Sequence, residues 1–257
     1  MKLDMHCHTK EGSLDGKIPV EEYIEELKRQ GFDGMMITDH NSYNGYRAWK
    51  KYIKGRRHAD FLVLKGIEYD TIDAGHILVI MPETVKLPIL ELRGLPVQLL
   101  IDIVHRNGGI LGPAHPCGEK YLSITNTRKY RMNQDILEKF DFLEAFNSCE
   151  RPEDNEKALN LAKKYKLLTF GGSDSHKPEC IGTAYTEFEE PVTCESDIIA
   201  QVIKGAAIYA GGSYYHGTAR EKMGRSHIIL IQAFWFYNKL TGYRTHFKRK
   251  REMQTKV

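Results

Sequence analysis

Met1-Lys-Leu-Asp-Met-His-Cys-His8 opens the chain, and its reading decides the rest. Apolar and polar residues alternate from Leu3 to His8, which is the pattern of a strand. Side chains two apart on a strand share a face. His6 and His8 are therefore expected to point together, with Asp4 below them on the same face. Two imidazoles side by side are natural metal ligands. By itself an H-x-H triplet also fits a polar strand end, so its meaning depends on what ends the other strands.

Working outward, Pro19 stands at the start of a helical pattern carried by Val20, Tyr23, Ile24 and Leu27, and Gly31 closes it. The apolar run Gly34-Met-Met-Ile-Thr38 reads as a buried strand and ends in Asp39-His40. A polar helix is expected over 46–53, then a strand from Phe61 to Ile67 that ends in Glu68. A loop with Asp70 and Asp73 leads to His76, which opens a strand over 77–81. Pro96 starts a helix whose core face is Val97, Leu100, Ile101 and Val104. The strand Ile110 to Ala114 runs into His115, and a long polar loop over 117–134 follows. Phe142 to Phe146 forms a strand ending near Asn147, and a helix is expected from Pro152 to Tyr165. The strand Leu167 to Phe170 delivers Gly171-Gly-Ser-Asp-Ser-His176. A helix over 196–204 and a short strand over 206–210 complete the pattern.

Strand–helix alternation of this length implies an α/β barrel or an open parallel sheet. The candidates His6, His8, Asp15, His40, Glu68, His76, His115, Asp174 and His176 follow nearly every strand. Barrel enzymes build their sites at the C-terminal strand ends, whereas an open sheet gathers them at one switch point. The expectation is therefore a closed barrel. Six of the eleven histidines of the chain are in the set. Asp15 before Gly16 also fits turn chemistry, and His76 also fits a surface strand position. Asp39 and His40 are adjacent and should face opposite ways. Asp174 and His176 repeat the spacing of His6 and His8.

The 257 residues, 41% hydrophobic and 28% charged, are enough for one large core. A net charge of +3 does not by itself argue for nucleic acid. Lys2, Asp4 and His6 interrupt any apolar leader, and no run reaches the length of a membrane span, so a cytoplasmic protein without stable membrane insertion is expected. The five cysteines, odd in number and without C-x-x-C, read as reduced thiols.

The ordered motifs resemble the PHP family (polymerase and histidinol phosphatase domain): H-x-H, Asp15-Gly16, T-D-H-N at 38–41, G-x-E at 66–68, P-A-H-P at 113–116 and G-S-D-S-H at 172–176. The match covers nearly all of residues 1–212. It implies a distorted (β/α)7 TIM-like barrel and two or three divalent ions, with manganese or iron preferred and zinc an alternative. As the resemblance implies them, His6, His8, Glu68 and Asp174 hold a first ion, Glu68 bridges to a second completed by His76 and His115, and Asp15, His40 and His176 hold a third. Asp39 and Asp4 would then fix imidazole tautomers. The nucleophile would be a metal-bridging hydroxide, and no side-chain nucleophile is required. The short gap between His115 and Asp174 leaves little room for the insertion with which some short-form members grip nucleotides.

The implied activity is hydrolysis of phosphate esters, on a phosphorylated small molecule or nucleotide. Two competing readings are an exonuclease or phosphodiesterase acting on short oligonucleotides, and a metal-binding interaction domain without catalysis. Arg151 and Lys177 are the first candidates for phosphate contacts, with Asn147 lining the site and Lys10, Lys120, Arg128 and Arg131 behind them. Residues 213–257 fall outside the resemblance. There, Ile228 to Phe236 reads as an apolar helix packed on the barrel, with a dimer interface or membrane-surface contact as the lesser reading, and 244–251 as a basic tail.

Overall fold

The structure is a computed structural model and describes residues 1–118, 122–214 and 236. The expected C-terminal helix and basic tail therefore lie outside the described residues, Phe236 excepted, as does Lys120. In chain order the main elements are β1 (Lys2–Cys7), α1 (Val20–Arg29), β2 (Gly34–Ile37), α2 (Asn44–Tyr52), β3 (Leu62–Asp70), β4 (His76–Ile80), α3 (Val97–Arg106) and β5 (Ile110–Pro113). They continue with α4 (Arg128–Met132), β6 (Phe142–Asn147), α5 (Pro152–Tyr165), β7 (Leu168–Gly172), β8 (Ala184–Phe188), α6 (Glu195–Ile203) and β9 (Ile208–Gly212).

The helices other than α4 form where the pattern places them; α4 lies within the stretch expected as a polar loop over 117–134, where the Thr127 side chain caps it by accepting from Tyr130 N. In α1, Val20, Tyr23, Ile24 and Leu27 are buried, acidic residues sit in the first turn and Lys28 and Arg29 in the last, which suits the helix dipole. Pro19 and Pro96 cap α1 and α3 in extended geometry, while Gly31 and Gly108 leave them at positive φ. Pro152 starts α5.

The strands form a curled α/β sheet ordered β5-β4-β3-β2-β1-β8-β9, with β6 and β7 as a separate parallel pair. The amide of Asp141 donates to Leu111 O at 3.0 Å, tying that pair to β5. Asp174 N donates to His6 O at 2.9 Å and His8 N to Ser175 O at 3.3 Å, tying it to β1. Gly172 allows this last approach, because a Cβ there would lie 2.3 Å from His6 Cβ. Leu3, Met5, Met36, Leu64, Leu78, Ile110, Phe142 and Phe170 pack together inside the curl. Cys7, Tyr23, Met35, Ile37 and Trp49 pack between β1, β2 and the helices α1 and α2.

The sheet departs from a simple βα repeat in three places. Among the described residues nine strands are present, not seven, since β8 and β9 add an antiparallel flap along β1. β3, β4 and β5 form an antiparallel meander with no helix between β3 and β4. Because β4 runs backwards, its first residue, His76, reaches the rim where the other strands end. Finally, β3 runs on to Asp70, which pairs with His76, so Asp70 belongs to a strand and not to the expected loop.

Candidate metal centre

The imidazoles are held by their far nitrogens. His6 Nδ1 lies 2.8 Å from Glu144 Oε1 and donates to it. Ser13 donates its hydroxyl proton to Asp39 at 3.0 Å and so accepts from His8 Nδ1 at 3.1 Å. His176 Nδ1 donates to the carbonyl of Asp174 at 2.9 Å, and His115 Nδ1 faces Ser123 Oγ at 3.4 Å. In the rings of His6, His8 and His176 the proton is placed on Nδ1 and the lone pair of Nε2 is turned into the cavity.

Those lone pairs meet carboxylates. His6 Nε2 and His8 Nε2 are 3.1 Å apart. Glu68 Oε2 lies 3.4 and 3.2 Å from them, and Asp174 Oδ1 lies 3.6 and 3.3 Å from them. With bonds of 2.0–2.1 Å, the edge of a tetrahedral site is about 3.3 Å. The contacts of His6 and His8 with each other, with Glu68 and with Asp174 have about that spacing. The other oxygen of Glu68 lies 2.8 Å from His76 Nδ1 and 3.0 Å from His115 Nε2, so one carboxylate faces two groups of donors. A third group forms at the mouth: Asp15 Oδ2 is 3.3 Å from His176 Nε2 and 3.7 Å from His40 Nε2. Asp15 is half exposed, whereas His6, His8 and Glu68 are wholly buried, so the donors run from solvent to the core.

Among the described residues, several buried donor atoms make close contacts but no hydrogen bond of good geometry: His40 Nδ1, His76 Nδ1, Glu68 Oε2 and Asp70 Oδ1. Leaving such groups unsatisfied is costly, so their convergence fits a ligand that takes lone pairs. The donor set of histidine and carboxylate without thiolate suits divalent ions with open positions. Without an ion, protons take their place. Burial alone would raise the Glu68 carboxyl, but His76, His40 and His6 hold it well below the usual range. Burial opposes a charge on His6, yet Glu144, Glu68 and Asp174 raise it well above an ordinary imidazole. His76 is likewise pushed up to about 10 and His176 to about 9, in both cases against burial, His76 by Glu68 and Asp70 and His176 by Asp15.

The backbone is bent to make these contacts. His115 and Asp174 have φ of 29° and 51°, and Asn41, next to His40, has 47°. Non-glycine residues there cost of order 1–3 kcal/mol each, and such strain concentrates at functional sites.

Two carboxylates that were not among the expected site residues stand in the centre. Glu144 orients His6 and also accepts from His115 N at 2.6 Å. Its only sequence signal is a lone acid inside the apolar strand Phe142–Asn147. Asp70 Oδ1 lies 2.9 Å from His76 Nε2. It shares a face with Glu68, two residues earlier on β3.

Other expectations change. Asp4 does not lie beneath His6 and His8. The register between β1 and β2 shifts between Asp4 and Cys7, and this bulge turns Asp4 to the side of Cys7 and Tyr23. Its carboxylate accepts from Ser173 and from Tyr23 and touches no imidazole. Asp39 acts on His8 only through Ser13. The guanidinium of Arg151 is taken by Asp154, at 2.9 Å. Asn147 is buried and donates to Glu144 and to Asp174 Oδ2, so its amide supports the carboxylates. Lys177 lies partly buried just beyond His176.

Comparison with known proteins gives this geometry a family. The model of the PHP domain matches residues 4–149, more than half of the chain, and a PHP-associated model matches 152–207. The chain belongs to the PHP domain family. This PHP protein thus joins a family of metal-dependent phosphoesterases. It is 34% identical over 97 residues to an uncharacterized protein of Methanocaldococcus jannaschii, a match spanning 35% of the chain and 38% of that relative. Its fold is similar to a candidate metal-dependent phosphoesterase of Bifidobacterium adolescentis (TM-score 0.56, 16% identity, covering 80% of this chain and 96% of that one). It is also similar to the lesion-specific endonuclease Q of Pyrococcus furiosus (TM-score 0.59, 18% identity, 81% and 57%). Among the described residues, no helix is long and apolar enough to cross a membrane.

Proposed function

We propose that this PHP protein is a metal-dependent hydrolase of phosphate esters, acting on a phosphorylated small molecule or nucleotide. We take β1 to β7 as the distorted seven-strand barrel within a catalytic unit of residues 1–212. The observation that carries the reading is the convergence of Glu68 with the imidazoles of His6 and His8, whose tautomers are already set to offer Nε2, and with that of His115. His6, His8, Glu68 and Asp174 would hold one ion, Glu68, His76 and His115 a second, and Asp15, His40 and His176 a third. Two or three divalent ions of manganese, iron or zinc fit this donor set. Such ions, when bound, polarise a phosphoryl oxygen and make hydroxide available near neutral pH.

The chain itself supplies the rest. Glu144 and the Ser13–Asp39 pair hold the rings of His6 and His8 so that little reorganisation is left for the reaction. The half-exposed Asp15 and the partly exposed His40 and His176 define the side from which an ester enters. No serine, threonine or cysteine is needed as nucleophile. The test is phosphate release from a panel of phosphomonoesters with manganese, iron and zinc supplied separately. Tight metal binding without turnover of any ester would overturn the reading and favour a metal-binding interaction domain.

A second reading, a phosphodiesterase or exonuclease on short oligonucleotides, has one observation in its favour: the fold likeness to endonuclease Q, one structure of which holds a duplex with an abasic lesion. Comparing a dinucleotide with a simple monoester separates the two.

A further inference from the structure

A cleft of about 490 Å³ opens directly beside the metal centre, with Asp70 as the shared wall. One oxygen of Asp70 faces His76, and the other receives Arg93. Arg93 is thus one carboxylate away from the donor cluster. Its Nε is buried and has no hydrogen-bond acceptor among the described residues. Arg128 and Lys129, from α4, line the same cleft. Among the described residues Lys129 makes a long contact, 3.8 Å, to Asp73, whose other oxygen caps the amide of Val97. Ile72 and Met132 stand at the rim with 68% and 73% of their surface exposed. Three cations therefore face two carboxylates that are already engaged, between two uncovered apolar side chains.

We infer that this cleft binds the non-reacting part of the substrate, and that the preferred substrate is a phosphate ester carrying a second anionic group on an apolar or planar body. The inference rests on the phosphoesterase reading of the adjacent centre. The volume falls in the range of small-molecule sites, which combine apolar walls with a few convergent polar groups. The body lies between Ile72 and Met132. The second anion meets the guanidiniums of Arg93 and Arg128, whose planar forks suit a carboxylate or phosphate. Arg93 has a further duty, since its bond to Asp70 stiffens the contact of that carboxylate with His76. Arg128 is exposed and, among the described residues, has no ion pair with a carboxylate of the cluster, which makes it the clean site to alter.

The experiment compares phenyl phosphate with 4-carboxyphenyl phosphate on the full chain loaded with manganese, in wild type, Arg128→Gln and Arg128→Lys. The expected result is a kcat/KM preference of about tenfold or more for the carboxylated ester, as one charge-assisted hydrogen bond gives. It collapses in Arg128→Gln and survives in part in Arg128→Lys. Equal turnover of the two esters by wild type, or a preference unchanged in Arg128→Gln, overturns the inference. If neither ester is hydrolysed, the activity reading fails by itself, and calorimetry with phenylphosphonate and 4-carboxyphenylphosphonate decides the cleft. Tighter binding of the carboxylated ligand that Arg128→Gln abolishes upholds it, and no difference between the ligands overturns it.

Discussion

Glu144→Gln should weaken metal binding while leaving the fold intact. The side chain is 1% exposed and accepts three hydrogen bonds: from His6 Nδ1 at 2.8 Å, from His115 N at 2.6 Å and from Asn147 Nδ2 at 3.2 Å. Glutamine keeps the volume but has one accepting end. If its amide nitrogen turns toward His6, the ring proton is displaced from Nδ1 to Nε2 and blocks the lone pair that faces Glu68 and Asp174. If it turns toward His115, a buried amide loses its acceptor. Either loss is of a hydrogen bond to a charged group, worth roughly 1.5–3 kcal/mol. Removing an outer partner of a ligating histidine usually lowers metal affinity about 10–100-fold, which is about 1.4–2.8 kcal/mol and agrees with that range. Competition with a chelator of known affinity measures it, and excess metal should restore most of the phosphate release. Wild-type affinity in a Glu144→Gln protein of unchanged melting temperature would refute the claim that Glu144 sets the tautomer of His6.

His8→Ala or Asp174→Asn should abolish metal-dependent phosphate release and lower the metal content measured on the purified protein, since each removes a donor from the buried group. Gly172→Ala should cost about 1–3 kcal/mol of stability, read by thermal or denaturant unfolding, because its Cβ would meet His6 and push β7 from β1. Metal binding should release protons: His176 and His76, raised to about 9 and about 10, are protonated at neutral pH and must give up those protons to ligate. Apparent affinity should therefore rise with pH up to that range, and calorimetry in buffers of different ionisation enthalpy measures the protons displaced.

The local elements were legible because their periodicity is local. Val20, Tyr23, Ile24 and Leu27 mark α1 by spacing alone, and apolar runs closed by His40, His115 and Asp174 mark strands and their functional ends. The candidate donors were legible for the same reason: H-x-H and D-x-H place two donors on one side of a short segment. The pairing directions were not legible. Nothing in Ile77 to Met81 says that its strand runs backwards, since an antiparallel strand buried on both faces has the same apolar run as a parallel one.

What the sequence by itself determined is the chemistry of the donors and their order along the chain. What only the tertiary structure decided is which atom of each donor faces the centre. A bulge between Asp4 and Cys7 removed Asp4 from the face of His6. The extension of β3 brought in Asp70, and the approach of β6 brought in Glu144. A bulge and a strand register depend on hydrogen bonds between segments far apart in the chain, and these carry no period that a single segment reveals.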